Sequence, residues 1–357
     1  MRNNRQNKYQ IEIFFEKGNI FKSKTIQSSY KGSRHFKDEL KIDSTKITII
    51  AKRSSTIKLD SVFYNHTSSM YIQIIKSIIF YYLVSTKFVK IKSIKIYRYR
   101  GKSKEPKDSF DFKNHEFTQI VSSDFIVVKN IKDDKLIKIF DNDEKGESLL
   151  IASSYLVKSL SLDDEIEKFE KLWKAFNRIY KYFGNNKNEF ECQIKLRKFI
   201  LENPTNFPLS TNAVNILTAQ EIREKLRWRA LILNDYNTEK KTKAFSEFIK
   251  RYSDKRIMEL FNQLLPYREE FLKNINLYDP VINYIKENHR LNNQKNEELV
   301  ALLCIKYMYF VRNKLMHGEK LESSFRFIEN KEVEEIKWLN KILKLLIIDL
   351  INCNNDL

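Results

Sequence analysis

Residues 164–184, DEIEKFEKLWKAFNRIYKYFG, decide how the larger part of this chain folds. Apolar residues recur there every three or four positions, which is the spacing of one face of an α-helix. These residues are Ile166, Phe169, Trp173, Phe176, Tyr180 and Phe183. Ser161 and Asp164 are typical of a capping box at the start of a helix, and Gly184 is typical of a helix end. Because aromatic residues at this spacing usually pack in a core, the pattern predicts a helix that buries an aromatic stripe.

Helical spacing begins near Gly146 and continues to the end of the chain. The predicted helical segments are 186–295 with a break at 203–208, 296–317, and 333–350. The segment 296–317 is apolar nearly all round, which indicates a central helix. The outer face of the last helix is a candidate dimer surface. We therefore predict an all-α second domain that spans residues 147–357.

The part before Gly146 shows the alternation of strands instead. The predicted elements are a hairpin at 9–21, strands at 46–51, 87–100, 117–121, 125–128 and 136–140, and a helix at 70–84. These elements predict a strand-rich first domain, residues 1–146, that serves recognition or regulation. The fold class predicted for the whole chain is α+β, with this basic domain followed by an all-α bundle.

Positive charge is concentrated near the N-terminus. The 357 residues carry a net charge of +19, and residues 1–100 hold 21 Lys and Arg against 6 Asp and Glu. Such a surface attracts polyanions such as nucleic acid. Three scattered cysteines favour neither a disulfide framework nor a zinc site. No apolar leader or membrane span is visible in the sequence, so we expect a cytoplasmic protein.

The densest basic run is Lys87–Arg100, in which bases alternate with β-branched and aromatic residues. Strand geometry would place the bases on one face, and a slip in the alternation near Ser93 predicts a β-bulge. Phosphates would follow the basic face, and Tyr97 or Tyr99 would stack on nucleotide bases. The candidate nucleic-acid-binding residues are Lys90, Lys92, Lys95, Arg98 and Arg100. The alternative is a solvated edge strand whose lysines prevent aggregation.

Residues 311–318, VRNKLMHG, carry the strongest candidate chemistry. Arg312 brings a planar charged fork that matches phosphate oxygens, and His317 titrates near neutral pH and can transfer a proton. Asn313 lies four residues before His317 on the same helix face, where its amide can orient the imidazole or reach a ribose hydroxyl. Gly318 is typical of a helix end, where the helix dipole favours the protonated imidazole.

Two considerations limit this interpretation of the motif. An ideal helix turns Arg312 and His317 about 140° apart, so their convergence requires a looser last turn, an arginine that wraps round, or a second subunit. A basic residue and a histidine also satisfy carbonyl groups at many helix ends without any catalytic role. The sequence alone leaves both interpretations open.

The string Arg312–Gly318 resembles the Arg-x(4 to 6)-His signature of HEPN domains, the higher-eukaryote and prokaryote nucleotide-binding helical superfamily, including its usual polar residue after the arginine. The segment 169–180 is similar to the opening helix of many bacterial HEPN proteins of the abortive-infection type. The resemblance covers about residues 147–357. It implies a helical bundle that dimerises so that the Arg and His of two protomers face each other. It also implies metal-independent RNA cleavage that leaves a cyclic phosphate and a 5′-hydroxyl.

The same resemblance suggests supporting residues. In such proteins a polar group on the first helix often faces the Arg-His pair, which makes Asn177 a candidate, and Lys314 inside the motif is another. Many members of the family serve as toxins or antiviral effectors. Others lack the motif and only bind.

We therefore expect an endoribonuclease, a toxin or antiphage effector, that needs neither a metal nor a cofactor. Arg312 would stabilise the pentacoordinate phosphorus, and His317 would handle the proton of the leaving 5′-oxygen. The expected partners are RNA, a second copy of the chain and a phage-derived trigger or neutralising partner, with no membrane. The main alternative is a non-catalytic regulatory protein that binds nucleic acid or a nucleotide. A third possibility is a metal-dependent nuclease that uses Asp124 and the triplet Asp133-Asp134-Lys135.

Overall fold

The structure, a computed structural model, has a six-stranded sheet followed by a long series of helices. It describes residues 7–19, 21–30, 32–33, 36–101, 103–113, 115–122, 124–185, 188–316, 328 and 330–356. The predicted α+β class is confirmed. The described residues pack as two compact units. The first unit takes its residues from Met1–Asp163, Lys174–Tyr182 and Ile351–Leu357, and the second from Asp164–Trp173 and Phe183–Leu350.

The sheet of the first unit is antiparallel throughout. Its strands are β1 (Asn7–Phe15), β2 (Lys24–Ser29), β3 (Lys37–Ile42), β4 (Lys46–Arg53), β5 (Ile91–Arg100) and β6 (Asp108–Lys113). Their order across the sheet is β2-β3-β4-β1-β5-β6. The predicted hairpin at 9–21 is wrong, because β1 pairs with β4 and β5. The strand predicted at 46–51 is confirmed as β4.

One face of the sheet packs against helix α1 (Ser69–Val84), which confirms the helix predicted at 70–84. Ser68 caps this helix, since its side chain accepts a hydrogen bond from the Tyr71 N–H. On the covered face, the Ser28 hydroxyl donates to Gln73 of α1 over 2.8 Å. Odd-numbered β1 residues are buried on this side, whereas even-numbered β1 residues are half-buried on the opposite side. The sheet therefore has a covered face and a second face that reaches solvent.

The predicted β-bulge is confirmed in the basic strand. Phe14 of β1 lies opposite Ser93, whereas the next residue, Phe15, lies opposite Ile91, so one extra residue of β5 is accommodated there. The bulge changes which residues of β5 share a face. Its consequence for the basic residues is described below.

Three strands predicted after the sheet are wrong. Residues 117–121 and 125–128 form no strand in the structure, and residues 136–140 are helical. Helix α2 (Asp133–Leu136) runs directly into the 3₁₀ turn Ile137–Phe140, of which Ile139 and Phe140 are buried. Residues 136–140, four apolar residues and Lys138, are compatible with a buried strand and with a buried helical turn, so the sequence pattern does not distinguish them.

Helices make up the rest of the chain. They are α3 (Glu144–Ser159), α4 (Glu165–Phe183), α5 (Glu189–Glu202), α6 (Pro208–Asn215), α7 (Ala219–Lys225), α8 (Trp228–Asp235), α9 (Thr242–Ile249), α10 (Lys255–Leu264), α11 (Glu269–Asn274) and α12 (Tyr278–Leu291), then α13 (Asn296–Ala301), α14 (Met308–Met316) and α15 (Lys331–Asn352). The predicted break at 203–208 contains the 3₁₀ turn Pro204–Asn206. In the described part of the chain, no helix combines the length and apolarity needed to cross a membrane.

The opening stretch of the sequence analysis forms α4 as predicted. The capping box predicted for Ser161 and Asp164 is wrong, since the Ser161 hydroxyl donates to the Val157 carbonyl. Asp164 caps the helix, because its carboxylate accepts hydrogen bonds from the Ile166 and Glu167 N–H groups at 2.9 and 2.8 Å. The helix ends at Phe183, immediately before Gly184. A Cβ atom at Gly184 would come within 2.2 Å of the Cys192 sulfur, so glycine is required there by close packing as well.

The central helix of the second unit runs without interruption through residues 296–316. It consists of α13, a π-helical segment over Leu302–Tyr307, and α14. All residues from Leu299 to Cys304 are fully buried, which confirms the central position predicted for this helix. The last helix, α15, buries most of its apolar side chains, and its exposed positions are charged. The outer face expected to provide a dimer surface combines these charges with the half-buried Val333, Trp338 and Leu345.

Candidate active site on the central helix

Arg312 lies where the central helix leaves the core. Met308 and Val311, one turn and one residue before it, are fully buried and fix the orientation of α14. Arg312 and Asn313 are half-buried, so they stand at the boundary between the core and solvent. Such a boundary position lets a side chain be held by the protein and still reach a ligand.

The π-helical segment precedes the motif and is anchored by a polar cluster that includes the buried residues Tyr307 and Glu335. Tyr307, the last residue of the segment, donates a short hydrogen bond to Glu335 of α15 and accepts one from the Arg227 N–H at 2.5 Å. The Arg227 guanidinium pairs with Glu335 at 2.6 Å. Because π turns often mark functional sites in helices, the location of this segment next to the motif is notable. Burial and Glu335 both raise the pKa of Tyr307, so its hydroxyl remains a proton donor.

Arg312 belongs to a connected cluster of four polar side chains. The Arg312 Nη1 donates a hydrogen bond to Asn313 Oδ1 at 2.9 Å. Tyr309, one turn earlier on the same helix, donates to Glu189 of α5 at 3.2 Å and lies within hydrogen-bonding reach of Asn313. The Tyr309 ring also contacts the Trp173 ring, with centroids 6.1 Å apart. The cluster therefore links α14 to α5 and to the aromatic stripe of α4.

The protonation state of Tyr309 follows from its surroundings. Burial raises the pKa of its hydroxyl, and the Glu189 carboxylate raises it further, whereas Asn313 and Arg312 lower it. The net shift of the pKa is upward, so the phenol stays protonated and donates a hydrogen bond to Glu189. Tyr309 thus acts in this cluster as a fixed hydrogen-bond donor.

Asn313 has a role different from the one expected. Its carbonyl oxygen accepts a hydrogen bond from Arg312, so in the described residues the amide orients the arginine. The Arg312 Nε is buried and has no hydrogen-bond partner among the described residues. A guanidinium has five N–H donors, and one held on a single side retains donor capacity for an anion.

The other motif residues are located less completely. His317 and Gly318 lie outside the described residues, and so does the predicted end of the helix at His317. Lys314 lies on α14 and is half-buried. Asn177 lies on α4 in a part of that helix that belongs to the first unit, whereas Arg312 belongs to the second. The Asn177 Oδ1 is buried without a hydrogen-bond partner among the described residues.

No protein-family model, curated protein or solved structure matches this chain. The assignment of function therefore rests on the chemistry of the residues themselves. Within the described residues, no three His, Cys, Asp or Glu side chains come close enough together to hold a metal ion.

The candidate nucleic-acid-binding residues do not share one face of the sheet. Lys95 lies on the solvent-facing side and pairs with Asp111 at 3.4 Å. Arg98 lies on the side of α1 and forms an ion pair with Asp108. Lys90, Lys92 and Arg100 are exposed. Lys90 precedes the bulge, Lys92 lies within it, and Arg100 is at the end of the strand. The predicted continuous basic face is wrong, because Arg98 and Arg100 follow Lys95 by three and five residues in the regular part of the strand beyond the bulge, and residues at odd spacing lie on opposite sides.

Sequence reasoning missed two members of the cluster. Tyr309 precedes Arg312 by three residues and Asn313 by four, which is the spacing of neighbours on a helix, so the sequence contained the signal for it. Glu189 comes from α5, more than a hundred residues earlier, and nothing in a single sequence connects it with the motif.

Proposed function

We propose that this chain is a metal-independent endoribonuclease in which Arg312 and His317 act on the scissile phosphate of RNA. We further propose that it is a cytoplasmic toxin or antiphage effector and that a second copy of the chain completes its site. The observation that carries the proposal is the cluster around Arg312. There a half-buried arginine is held by Asn313 and keeps a buried Nε without a partner among the described residues.

This arrangement supports phosphate binding for an electrostatic reason. A guanidinium fixed in advance stabilises charge that develops in the transition state without reorganisation at the moment of reaction. Asn313 fixes the guanidinium through a charge-assisted hydrogen bond. Tyr309, which donates a hydrogen bond to Glu189, lies within hydrogen-bonding reach of the Asn313 amide. A capping arginine that only satisfies helix carbonyls would need none of these partners.

The proposed reaction uses the ribose itself as the nucleophile. The 2′-oxygen forms a bond to the adjacent phosphorus while the bond from phosphorus to the 5′-oxygen breaks. Arg312 stabilises the pentacoordinate charge, and His317 donates a proton to the leaving 5′-oxygen. The 2′-hydroxyl gives its proton to the imidazole of the second copy, which is neutral at that stage. The products are a 2′,3′-cyclic phosphate and a 5′-hydroxyl.

The helix geometry supports a role for a second copy. Helix α14 is α-helical through Met316, and the π-helical segment precedes both Arg312 and His317. The wide turn therefore lies outside the motif, and an ideal helix continued to His317 would place the two residues about 140° apart. Two copies that bring their motifs together would supply an arginine and a histidine from opposite sides of one phosphate.

The decisive experiment incubates purified wild-type protein and His317→Ala with total cellular RNA in excess EDTA, followed by analysis of the product ends. We expect the wild type alone to produce cyclic phosphate ends. His289→Ala is the matched control, because His289 is an exposed histidine of the same unit at the end of α12. Arg312→Ala should remove cleavage as well.

Each alternative gives a different outcome. Cleavage by His317→Ala at the wild-type rate would refute the assignment of the motif. Cleavage that stops in EDTA and returns with Mg²⁺ would indicate a metal-dependent nuclease. RNA binding without cleavage by any variant, in the presence of phage lysate as a source of trigger, would support the binding protein instead.

A further inference from the structure

The solvent-facing side of the sheet, opposite α1, carries a surface that the proposed catalytic site does not use. The strand registers define it as four rows of side chains that cross the sheet. These rows are Lys52-Lys8-Tyr99, Gln27-Glu39-Ile50-Gln10-Tyr97-Ser109, Thr25-Lys41-Thr48-Glu12-Lys95-Asp111 and Lys46-Phe14-Ser93-Lys113. Their side chains are half-buried or exposed, whereas most of the residues that alternate with them on β1 to β5 are buried. We call this surface the open sheet face.

The open sheet face is basic. With Lys37 at the start of β3, it carries seven lysines against three carboxylates in the described strands. Two of the carboxylates are already neutralised on the same face, since Lys46 pairs with Glu12 at 3.0 Å and Lys95 pairs with Asp111 at 3.4 Å. Lys41 also pairs with Asp43, at 3.4 Å. Because the lysines still outnumber the carboxylates, the face has a positive potential that attracts a polyanion.

Two tyrosines, Tyr97 and Tyr99, lie side by side on the open sheet face. Tyr97 and Tyr99 are two residues apart on β5 and point to the same side, so their Cα atoms are about 7 Å apart along the strand. Both are half-buried, and the Lys8 Nζ lies 5.4 Å from the centre of the Tyr99 ring. Burial raises the pKa of Tyr99, so the ring stays neutral at physiological pH. Neutral aromatic rings flanked by lysines are the combination on which nucleotide bases stack while phosphates are neutralised.

We propose that the open sheet face binds single-stranded RNA, with one base stacked on Tyr97 and the next on Tyr99 and with Lys8 and Lys52 on the phosphates. A double helix does not fit this chemistry, because its bases are stacked on one another and cannot reach the rings. An acidic protein would use the lysines but not the pair of rings. RNA is named over DNA because the function proposed above makes RNA the substrate, and only this choice rests on that function.

The test measures binding of a fluorescently labelled oligouridine by anisotropy, with full-length protein that carries His317→Ala so that the probe stays intact. Tyr97→Leu/Tyr99→Leu should weaken binding by at least about tenfold, since each base stacked on an aromatic ring contributes about 5- to 150-fold. Tyr97→Phe/Tyr99→Phe keeps the rings and should bind within about twofold of the parent. Circular dichroism verifies that each variant remains folded.

Charge is tested separately. Lys8→Gln/Lys52→Gln should reduce the slope of log affinity against log salt by about 1.4, because a single strand loses about 0.7 per phosphate contact. The matched control is Lys240→Gln/Lys243→Gln, which removes two exposed lysines of the second unit and should leave the affinity for the probe unchanged. This arm also tests the surface if the leucine pair fails to fold.

Three results would overturn the proposal. The first is an unchanged affinity of Tyr97→Leu/Tyr99→Leu for oligouridine, because the protein would then attract any polyanion. The second is an equal loss of heparin binding in the same variant, since heparin has no bases to stack. The third is a loss of affinity in Lys240→Gln/Lys243→Gln as large as that in Lys8→Gln/Lys52→Gln. Cleavage by wild-type protein is scored independently, so binding without cleavage refutes only the proposed function and cleavage without binding at this face refutes only this inference.

Discussion

Replacing Asn313 by alanine tests the central contact of the candidate site. The change removes the acceptor that holds the Arg312 Nη1 at 2.9 Å and leaves the guanidinium free to rotate. A hydrogen bond to a charged group contributes about 1.5 to 3 kcal/mol. Arg312 is half-buried, so water replaces part of the lost interaction and we take about 1.5 to 2 kcal/mol. At about 1.4 kcal/mol per factor of ten, the rate of RNA cleavage should fall about 10- to 30-fold.

The assay is single-turnover cleavage of a labelled RNA, with KM measured in parallel. Because the fixed guanidinium acts mainly on the transition state, we expect kcat to fall and KM to change little. Asn288→Ala is the control, since this asparagine of α12 is also half-buried and bonds only a helix carbonyl in the described residues. An Arg312→Lys background provides the double-mutant cycle, in which loss of Asn313 should have a smaller effect.

A wild-type rate in Asn313→Ala would refute the idea that the amide orients the arginine. An equally large effect of Asn313→Ala in the Arg312→Lys background would show that Asn313 acts on something other than the guanidinium. The latter result would return Asn313 to the role first expected for it, which is contact with the histidine or with a ribose hydroxyl.

Two further predictions concern stability and need no assumption about activity. Glu335→Ala should lower the free energy of unfolding by about 3 kcal/mol in urea titrations, because it leaves the Tyr307 hydroxyl and the partly exposed Arg227 guanidinium without their shared acceptor; a loss below about 1 kcal/mol would contradict this. Burial raises the pKa of Tyr81 to about 12, above the value of 10.0 for the unfolded chain, so its contribution to stability is complete below pH 10 and is lost as the pH rises from 10 to 12. Tyr81→Phe should flatten the fall in stability over that interval, and an unchanged slope would argue that another group titrates.

The helical part of the fold was predictable because its signals are local. The stripe in residues 164–184, the stop at Gly184 and the all-round apolar helix at 296–317 each follow from residues within a few turns of one another. The sheet was harder because its pairing is not local. The alternation in residues 9–21 suggested a hairpin, but β1 lies between β4 and β5, which come from later parts of the chain. Strands β2, β3 and β6 are short or strongly charged and gave no clear periodic signal.

The candidate site shows the same division. Arg312 and Asn313 could be selected from their own chemistry and spacing, and the structure adds that they bond each other. The basic strand could also be selected, but Arg98 and Arg100 follow Lys95 at odd spacing and therefore lie on the opposite side of the strand. Glu189 could not be found, because only the tertiary packing of α5 against α14 brings its carboxylate to Tyr309.

The π-helical segment has a consequence for how this chain tolerates changes in length. In a buried α-helix, an inserted residue normally turns every later side chain by about 100° and would take Val311 and Met308 out of the core. A π-helical turn accommodates one extra residue locally, so the side chains before and after it keep their orientation toward the core. Deletion of one residue within Leu302–Tyr307 should therefore restore a regular helix with the arginine still at the edge of the core. The same deletion made in α14 would turn the arginine away.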